Sequence, residues 1–391
     1  MLSWLACQFA PKIRDLHGTP APPLPEPSRR DALAERAREA AAALTAAPFA
    51  PRSDLDAYRV LFGMSCRDLV TSEADQHPDT AGRTPNWAAF PEFQEVEVPG
   101  ADGVTLHGRH NPGAPGAPKI IVLHGLFDSH VSRYVVEYSV SLGRMGFHVV
   151  ALDLRDHGRL RGHGPPPSLG LHEGRDILAA AEALSTKEGV SVGVLGISYG
   201  GHCAVRAAHE ATLAGRAEVL RGGVLSLSAP LHIQEAICAL DDHTRLPQPH
   251  GLWQRFIARG LLHTIDRHLL LRSHEKGRLE HPAEDFEGYI REIVLPAYPD
   301  LPNLVGALLG AARCTQPAVL GQVAVPVAIV HAADDFLVPV QHLRDARREA
   351  RDNPWVVTRE LPAGGHAGFG AVDPAGTLGL LAAWLGTLRD G

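Results

Sequence analysis

Short apolar runs alternate with longer stretches of helical spacing over most of this chain. The runs KIIVLHG, HVVALDLRDHG, SVGVLGIS, LRGGVLSLSAP and VPVAIVHAADD each contain a short apolar cluster, which is continuous in KIIVLHG, as in strands buried on both faces of a sheet. Helical patterns such as HVSRYVVEYSVSLGRMG, EGRDILAAAEALS and YGGHCAVRAAHEATLAG stand between them. Strands that alternate with helices predict an α/β fold with a mostly parallel, doubly wound sheet.

The composition fits a globular protein of this class. The chain has 391 residues, of which 45% are hydrophobic and 21% are charged. That is enough to bury the core of one large α/β domain that carries an insertion. The net charge is −7 at pH 7 and lysine and arginine form no stripe. We therefore expect no nucleic-acid partner.

Cysteine usage and hydropathy bear on the compartment. The five cysteines are scattered and form no Cys-x-x-Cys pair: Cys7, Cys66, Cys203, Cys238 and Cys314. Neither a disulfide framework nor a zinc site is expected from them. No apolar run approaches the ~20 residues of a membrane helix, and the run within MLSWLACQFAPK is short for a secretory signal. These features predict a cytoplasmic protein without a transmembrane segment.

Changes in composition and residue pattern along the chain predict four segments. An N-terminal extension at 1–91 contains the proline-rich TPAPPLPEPS and two helical patterns, SRRDALAERAREAAAALTAA and SDLDAYRVLFGMSCRDLV. The α/β core begins at 92–230 with a hairpin pattern, FQEVEVPGADGVTLHGRHNP, and resumes at 318–391. Between them, 231–317 interrupts the alternation and is predicted to be a helical insertion.

The stretch VGVLGISYGG places Ser198 between glycines where a buried strand ends. A nucleophile on a tight strand-to-helix turn is strained, and the residues two positions away must be small. Gly196 and Gly200 meet that need. The N-terminus of the following helix favours negative charge that develops at the serine. A glycine-rich turn without chemistry is the alternative, which this pattern alone leaves open.

A base and an acid follow later strands. HAADDFLVPV places Asp335 after one strand, and ELPAGGHAGFG places His366 after the last. The carboxyl ends of parallel strands lie at one edge of a sheet, and a serine nucleophile needs a base that an acid orients. The order Ser198, Asp335, His366 therefore predicts a catalytic triad, although either loop residue alone would be read as solvated or as a helix cap.

Three other aspartates compete for the role of the acid. Asp334 is adjacent, but its side chain points the other way if the strand pleat persists. Asp241 and Asp242 follow an earlier strand, within LDDH. The spacing to Pro339 favours Asp335.

The stretch VLHGLFDSH is expected to complete the site. An oxyanion needs two preorganised donors, and we assign them to the backbone N–H groups of Leu126 and Tyr199. Asp128 or Ser129 is expected to cap the following helix.

Metal and cofactor sites are not expected. Two histidines in a glycine loop, His157 and His163, do not supply enough converging ligands for a metal. No Gly-x-Gly-x-x-Gly follows an early strand and no phosphate-binding loop is present.

The pieces LHGL, GISYGG, DDFLVP and GGHAGF together resemble the α/β-hydrolase superfamily. The resemblance covers the chain from about residue 92 to the end, apart from the insertion. It implies the α/β-hydrolase fold and a serine hydrolase that forms and hydrolyses an acyl-enzyme. It also implies that 231–317 is the cap, where the helical residues Trp253, Phe256 and Leu262 could line a pocket. Within the superfamily, LHGL and GGHAGF are most similar to the YheT-like and ABHD-type esterases.

The function predicted from these features is cofactor-independent hydrolysis of a small-molecule carboxylic ester. The same triad would also serve an acyltransferase, a thioesterase, an amidase or a C–C hydrolase. A non-catalytic ligand-binding protein on the same fold is the alternative from another class. The substrate and the oligomeric state do not follow from the sequence.

Overall fold

The structure is a computed structural model that describes residues 16–23, 33–57, 59–60, 85–126, 128–186, 190–241, 271 and 273–389. The second helical pattern of the extension falls mostly outside these residues. So do Asp242, Trp253, Phe256 and Leu262, together with the centre of the predicted insertion.

An eight-stranded sheet forms the centre of the molecule, in the order β1-β2-β4-β3-β5-β6-β7-β8. The strands are β1 (Gln94–Pro99), β2 (Thr105–Asn111), β3 (Lys119–Leu123), β4 (His148–Leu152), β5 (Val192–Ile197), β6 (Val224–Leu227), β7 (Val327–Ala332) and β8 (Val356–Leu361). β1 and β2 are the predicted hairpin and pair antiparallel, as do β2 and β4. All other neighbours are parallel, which confirms the predicted mostly parallel sheet.

Helices cover both faces of the sheet. They are α1 (Leu33–Ala46), α2 (Pro85–Ala88), α3 (Arg133–Arg144), α4 (Leu171–Thr186), α5 (Tyr199–Leu213), α6 (Ile233–Asp241), α7 (Phe286–Tyr289), α8 (Leu295–Ala297), α9 (Val305–Ala312), α10 (Gln341–Glu349), α11 (Phe369–Val372) and α12 (Pro374–Leu381). Two π-helical turns, Ile290–Val294 and Ala382–Gly386, continue α7 and α12. Single 3₁₀ turns occur at Leu16–Gly18, Ala101–Gly103, Gly158–Leu160, Ala217–Leu220 and Glu275–Gly277.

The apolar runs supply two cores because successive strand residues point to opposite faces. In β3, Ile121 and Leu123 join the cluster that packs under α4, α5 and α10. Ile120 and Val122 join the cluster under α1, α3 and α12. Burial on both faces explains why these strands are nearly continuous in apolar residues.

The N-terminal extension packs against the second of these cores. The alanine-rich pattern forms α1, whose Ala37, Ala40 and Leu44 are buried. The guanidinium of Arg359, on β8, donates to the carbonyl oxygens of Leu44 and Ala47. These are among the carbonyls that the end of a helix leaves without partners, so β8 stabilises the C-terminus of α1.

The described helices between β6 and β7 build a third apolar cluster. Its buried members include Ile233 and Ile237 of α6, Phe286 and Tyr289 of α7, and Leu308 of α9. The segment is helical where it is described, and the predicted boundaries at 91/92, 230/231 and 317/318 stay predictions.

Candidate active site

Ser198 lies on a strained turn between β5 and α5. Its backbone has φ +54° and ψ −120°, a conformation that non-glycine residues adopt at a cost of about 1–3 kcal/mol. A Cβ at Gly196 would overlap the carbonyl oxygen of Gly200, and a Cβ at Gly200 would lie 2.5 Å from the carbonyl oxygen of His124. Both glycines are therefore required by close backbone approach, and the turn holds the half-buried serine at the carboxyl edge of the sheet.

The structure brings Ser198, His366 and Asp335 together from the ends of three strands. The Nε2 atom of His366 lies 3.0 Å from Oγ of Ser198. Its Nδ1 atom lies 3.0 Å from Oδ2 of Asp335. Because the carboxylate can only accept, Nδ1 carries a proton and Nε2 of the neutral imidazole is free to accept the serine proton. The geometry is that of a nucleophile, a base and an orienting acid.

Asp335 is held in place by the turn that follows it. Its Oδ1 atom accepts hydrogen bonds from the backbone N–H groups of Leu337, at 3.0 Å, and Val338, at 2.9 Å. Nε2 of His331 lies 3.4 Å from Oδ2. Burial raises the pKa of the Asp335 carboxyl, but the attraction of His366 and these hydrogen bonds outweigh burial, and the pKa lies below its usual value. Asp335 is thus an anion that faces His366.

The competing Asp334 has a different task. Its Oδ1 atom accepts a hydrogen bond of 2.8 Å from the backbone N–H of Gly365, which fixes the loop that carries His366. Burial raises the pKa of the Asp334 carboxyl. Ser228 holds the other side of that loop, since its Oγ accepts from the backbone N–H of Ala367 at 3.1 Å.

The turn after β3 lies against the serine. A Cβ built at Gly125 would lie 3.4 Å from Cβ of Ser198. The buried His124 stabilises this turn, because its Nε2 accepts from the backbone N–H of Leu154 at 3.0 Å and its Nδ1 lies 2.7 Å from the carbonyl oxygen of Gly125. Burial lowers the pKa of His124, so the ring is neutral with its proton on Nδ1. Leu126 follows directly on this turn, and Tyr199 begins α5 beside Ser198.

A family model describes most of this architecture. The model of the alpha/beta hydrolase family matches residues 120–378, a range that contains the turn after β3, the serine, the aspartate and the histidine. The chain belongs to the alpha/beta hydrolase family. This confirms the superfamily and the fold predicted from the four motifs, and it supports a serine hydrolase in general. Placement in the YheT-like or ABHD-type branch stays a prediction.

Solved structures similar to this alpha/beta hydrolase include esterases and a peptidase. The esterase Pf2001 of Pyrococcus furiosus is 18% identical, with 77% of this chain and 94% of that chain covered and a TM-score of 0.50. The esterase Est22 is 14% identical over 83% of this chain and 88% of that chain, with a TM-score of 0.49. The acylaminoacyl peptidase of Pyrococcus horikoshii is 16% identical over 73% of this chain and 39% of that chain, with a TM-score of 0.45. No curated protein sequence matches the chain significantly.

Other residues singled out in the sequence have partners outside the Ser198–His366–Asp335 cluster. Asp241 is exposed, and its Oδ1 accepts from the backbone N–H of Phe286 at 2.8 Å, so it joins α6 to α7. The expectation that Asp128 or Ser129 caps the next helix is wrong, because α3 begins at Arg133, directly after Ser132. The chain makes another turn before the helix begins, and the Asp128 carboxylate instead accepts a hydrogen bond of 2.7 Å from the hydroxyl of Tyr134.

Histidines of the loop after β4 do not converge. His157 is buried with Nδ1 2.7 Å from the carbonyl oxygen of Arg155, whereas His163 is exposed. Over the described part of the chain, no three His, Cys, Asp or Glu side chains gather as metal ligands would. None of the described helices has the length and apolar content for crossing a membrane.

A buried ion pair near the site has no signal in the sequence. The guanidinium of Arg155, in the loop after β4, donates to both carboxylate oxygens of Asp176 on α4, each at 2.8 Å, and to Oη of Tyr298 at 3.0 Å. A second bidentate pair joins Asp156 to Arg278, at 2.6 and 2.7 Å. The Tyr298 contact and the Arg278 pair link this loop to the segment between β6 and β7. Tyr298 and Arg278 each lie more than a hundred residues along the chain from the loop residue that they bind, so no local sequence pattern could have indicated these contacts.

Proposed function

We propose that this alpha/beta hydrolase cleaves carboxylic esters through an acyl-enzyme on Ser198. The observation that carries the proposal is the continuous line of hydrogen bonds from Ser198 through His366 to Asp335, with 3.0 Å at each step. A serine–histidine contact of this length on a half-buried serine has little use in a structural role, since the strained backbone of Ser198 costs stability.

The reaction follows from the positions of the atoms. Oγ of Ser198 attacks the acyl carbon while Nε2 of His366 takes the hydroxyl proton, and the carbonyl oxygen becomes an oxyanion. The imidazolium that forms is stabilised by the Asp335 carboxylate. When the tetrahedral intermediate collapses, the alcohol leaves with the proton from Nε2. Water then attacks the acyl-enzyme with His366 as base, which regenerates Ser198.

The oxyanion is proposed to be held by the backbone N–H groups of Leu126 and Tyr199. Gly125 packs against the side chain of Ser198, which brings the next peptide within reach of a group bonded to Oγ. Tyr199 is the first residue of α5, where unpaired N–H groups and the helix dipole both favour negative charge. Two donors of this kind contribute about 3–4 kcal/mol each to such a transition state.

The surroundings support an uncharged, apolar acyl group. The side chain of Leu126 packs against the apolar cluster built by α6, α7 and α9. An apolar wall beside the reacting carbon excludes water and disfavours charged substituents. A small-molecule ester therefore fits better than a charged peptide.

Labelling with a fluorophosphonate tests the proposal. Intact mass and peptide mapping should show one adduct, on Ser198, and the Ser198→Ala variant should show neither adduct nor ester turnover. Turnover by Ser198→Ala at the wild-type rate would refute the assignment. Tight binding of an ester analogue by a folded protein that forms no adduct would favour a binding protein instead. A panel of matched ester, thioester and amide substrates, with alcohol acceptors added, then separates an esterase from a thioesterase, an amidase or an acyltransferase.

A further inference from the structure

Both polar backbone atoms of Gly125 have fixed partners. The N–H donates to Oη of Tyr134 at 2.7 Å. The carbonyl oxygen lies 2.7 Å from Nδ1 of His124 and accepts from the backbone N–H of Asp128 at 3.3 Å. A trans peptide is planar, with its C=O and the following N–H on opposite sides. Partners that hold the Gly125 carbonyl therefore also set the direction of the Leu126 N–H.

Tyr134 and Asp128 close a ring around this glycine. The Tyr134 hydroxyl accepts from the Gly125 N–H and donates to Oδ2 of Asp128 at 2.7 Å. The backbone N–H of Asp128 returns to the Gly125 carbonyl. A hydrogen bond to a carboxylate is about twice as strong as one between neutral groups, and it polarises the phenol so that its oxygen accepts more strongly.

The ring borders the reacting atoms. A Cβ at Gly125 would lie 3.2 Å from Oη of Tyr134, 3.4 Å from Cβ of Ser198 and 3.6 Å from Oδ2 of Asp128. Tyr134 is the second residue of α3, and its ring packs against the buried cluster under that helix. The hydroxyl is thus anchored to the helical scaffold, whereas the turn that it holds follows the end of a strand.

We propose that Tyr134 and Asp128 are positioning residues for the oxyanion donor of Leu126, an inference that rests on the proposed function. Neither side chain has to touch the substrate. The phenol fixes the Gly125 N–H, the carboxylate fixes the phenol, and the glycine presents the next N–H toward the oxygen that develops charge. A donor displaced by a few tenths of an ångström loses most in the transition state, where the charge is greatest.

The first test is Tyr134→Phe in the full chain. The ring is kept, but the Gly125 N–H loses its acceptor and the turn can rotate. We expect kcat for an activated ester to fall about tenfold to hundredfold while KM changes less than about threefold, because the lost interaction is confined to the transition state. Tyr138→Phe is the matched control. It removes a buried hydroxyl one turn along α3 that has no hydrogen-bond partner among the described residues, and it should leave kcat unchanged.

A second pair of variants separates positioning from simple loss of structure. Asp128→Asn keeps an oxygen that accepts from the phenol and should retain most of kcat. Asp128→Ala should lose as much as Tyr134→Phe, and the double variant should be no slower than either single one, because both act through Gly125. If Tyr134→Phe fails to fold, the difference between Asp128→Asn and Asp128→Ala decides the question.

The outcomes distinguish this inference from the proposed function. Wild-type protein that forms an adduct on Ser198 and turns over ester, with Tyr134→Phe and Asp128→Ala equally active, would overturn the positioning role alone. A rise in KM with unchanged kcat in these variants would overturn it too, since that pattern means lost ground-state binding. Wild-type protein without adduct or turnover would overturn both proposals.

Discussion

Replacing Asp335 by asparagine should reverse the tautomer of His366. Oδ1 of Asp335 accepts two backbone N–H groups, at 3.0 and 2.9 Å, so the amide oxygen of asparagine must take that position. Turning the amide around would set its NH₂ against two donors and leave them unpaired, at about 1–3 kcal/mol each. The NH₂ group therefore faces Nδ1 of His366, now 3.0 Å from Oδ2.

The size of the effect follows from this orientation. An imidazole that accepts at Nδ1 carries its proton on Nε2, which points at Oγ of Ser198. Such a ring cannot take the serine proton. The same change in serine proteases lowers kcat about 10⁴-fold, which corresponds to about 5 kcal/mol in the activation free energy. We expect a loss of that order in kcat for Asp335→Asn.

The assay is steady-state hydrolysis of a nitrophenyl ester together with the rate of fluorophosphonate labelling. Asp334→Asn is the matched control, because an asparagine oxygen still accepts from the Gly365 N–H that Asp334 holds at 2.8 Å. The control should stay within about threefold of wild type. Folded Asp335→Asn protein that loses less than tenfold, or an Asp334→Asn variant that loses more than Asp335→Asn, would refute the reasoning.

Arg155→Met leaves the Asp176 carboxylate buried without the guanidinium that it binds. Urea unfolding should therefore show that the free energy of unfolding falls by about 3–5 kcal/mol, and adding Asp176→Asn should recover part of that loss. Additive losses in the double variant would contradict the ion pair. Gly196→Ala should abolish labelling of the serine, because its Cβ overlaps backbone of α5, whereas Gly379→Ala, with nothing within 4 Å, should fold and react normally. Burial raises the pKa of the Asp153 carboxyl, but Nδ1 of His130, which lies 2.9 Å from Oδ1 of Asp153, brings that pKa below its usual value. The contribution of Asp153 to stability is therefore complete above about pH 4 and is lost as the pH falls through the folded pKa. In that window the unfolding free energy of Asp153→Asn should change less with pH than that of wild type. Equal slopes for the two proteins would show that the Asp153–His130 pair contributes nothing.

Sequence periodicity and turn chemistry were sufficient to predict the strands and their mostly parallel arrangement. Strands buried on both faces must be apolar throughout, as in β3 and β5, and a parallel order then requires the helices between them. The hairpin of β1 and β2 and the helix α1 were also predicted from local pattern. The antiparallel pairing of β2 with β4, which joins the hairpin to the parallel strands, had no such signal, because the two strands are distant in the chain and meet only in the folded sheet.

Three site residues were predicted from residue type and strand position. Ser198, Asp335 and His366 each follow a strand, and parallel strands carry their C-terminal ends to one edge. The strand before Asp334 and Asp335 ends at Ala332, so the pleat does not extend to them, and their different contacts come from the turn that follows the strand. The prediction that Asp128 or Ser129 caps the helix was wrong because the positions of helix ends are the least reliable part of a prediction from sequence.

The sequence by itself determined the fold class, the turn that presents Ser198 and the order of the three polar residues, because all of these depend on contacts between neighbours or on strand periodicity. Only the tertiary structure decided which hydrogen-bond partners hold the loops and turns of the candidate site. The Arg155–Asp176–Tyr298 contacts, the loop held by Asp334 and the ring of Tyr134 and Asp128 around Gly125 join side chains to groups that other elements bring near. Hydrogen bonds need atoms placed within a few tenths of an ångström, and that placement exists only once the helices and strands have packed.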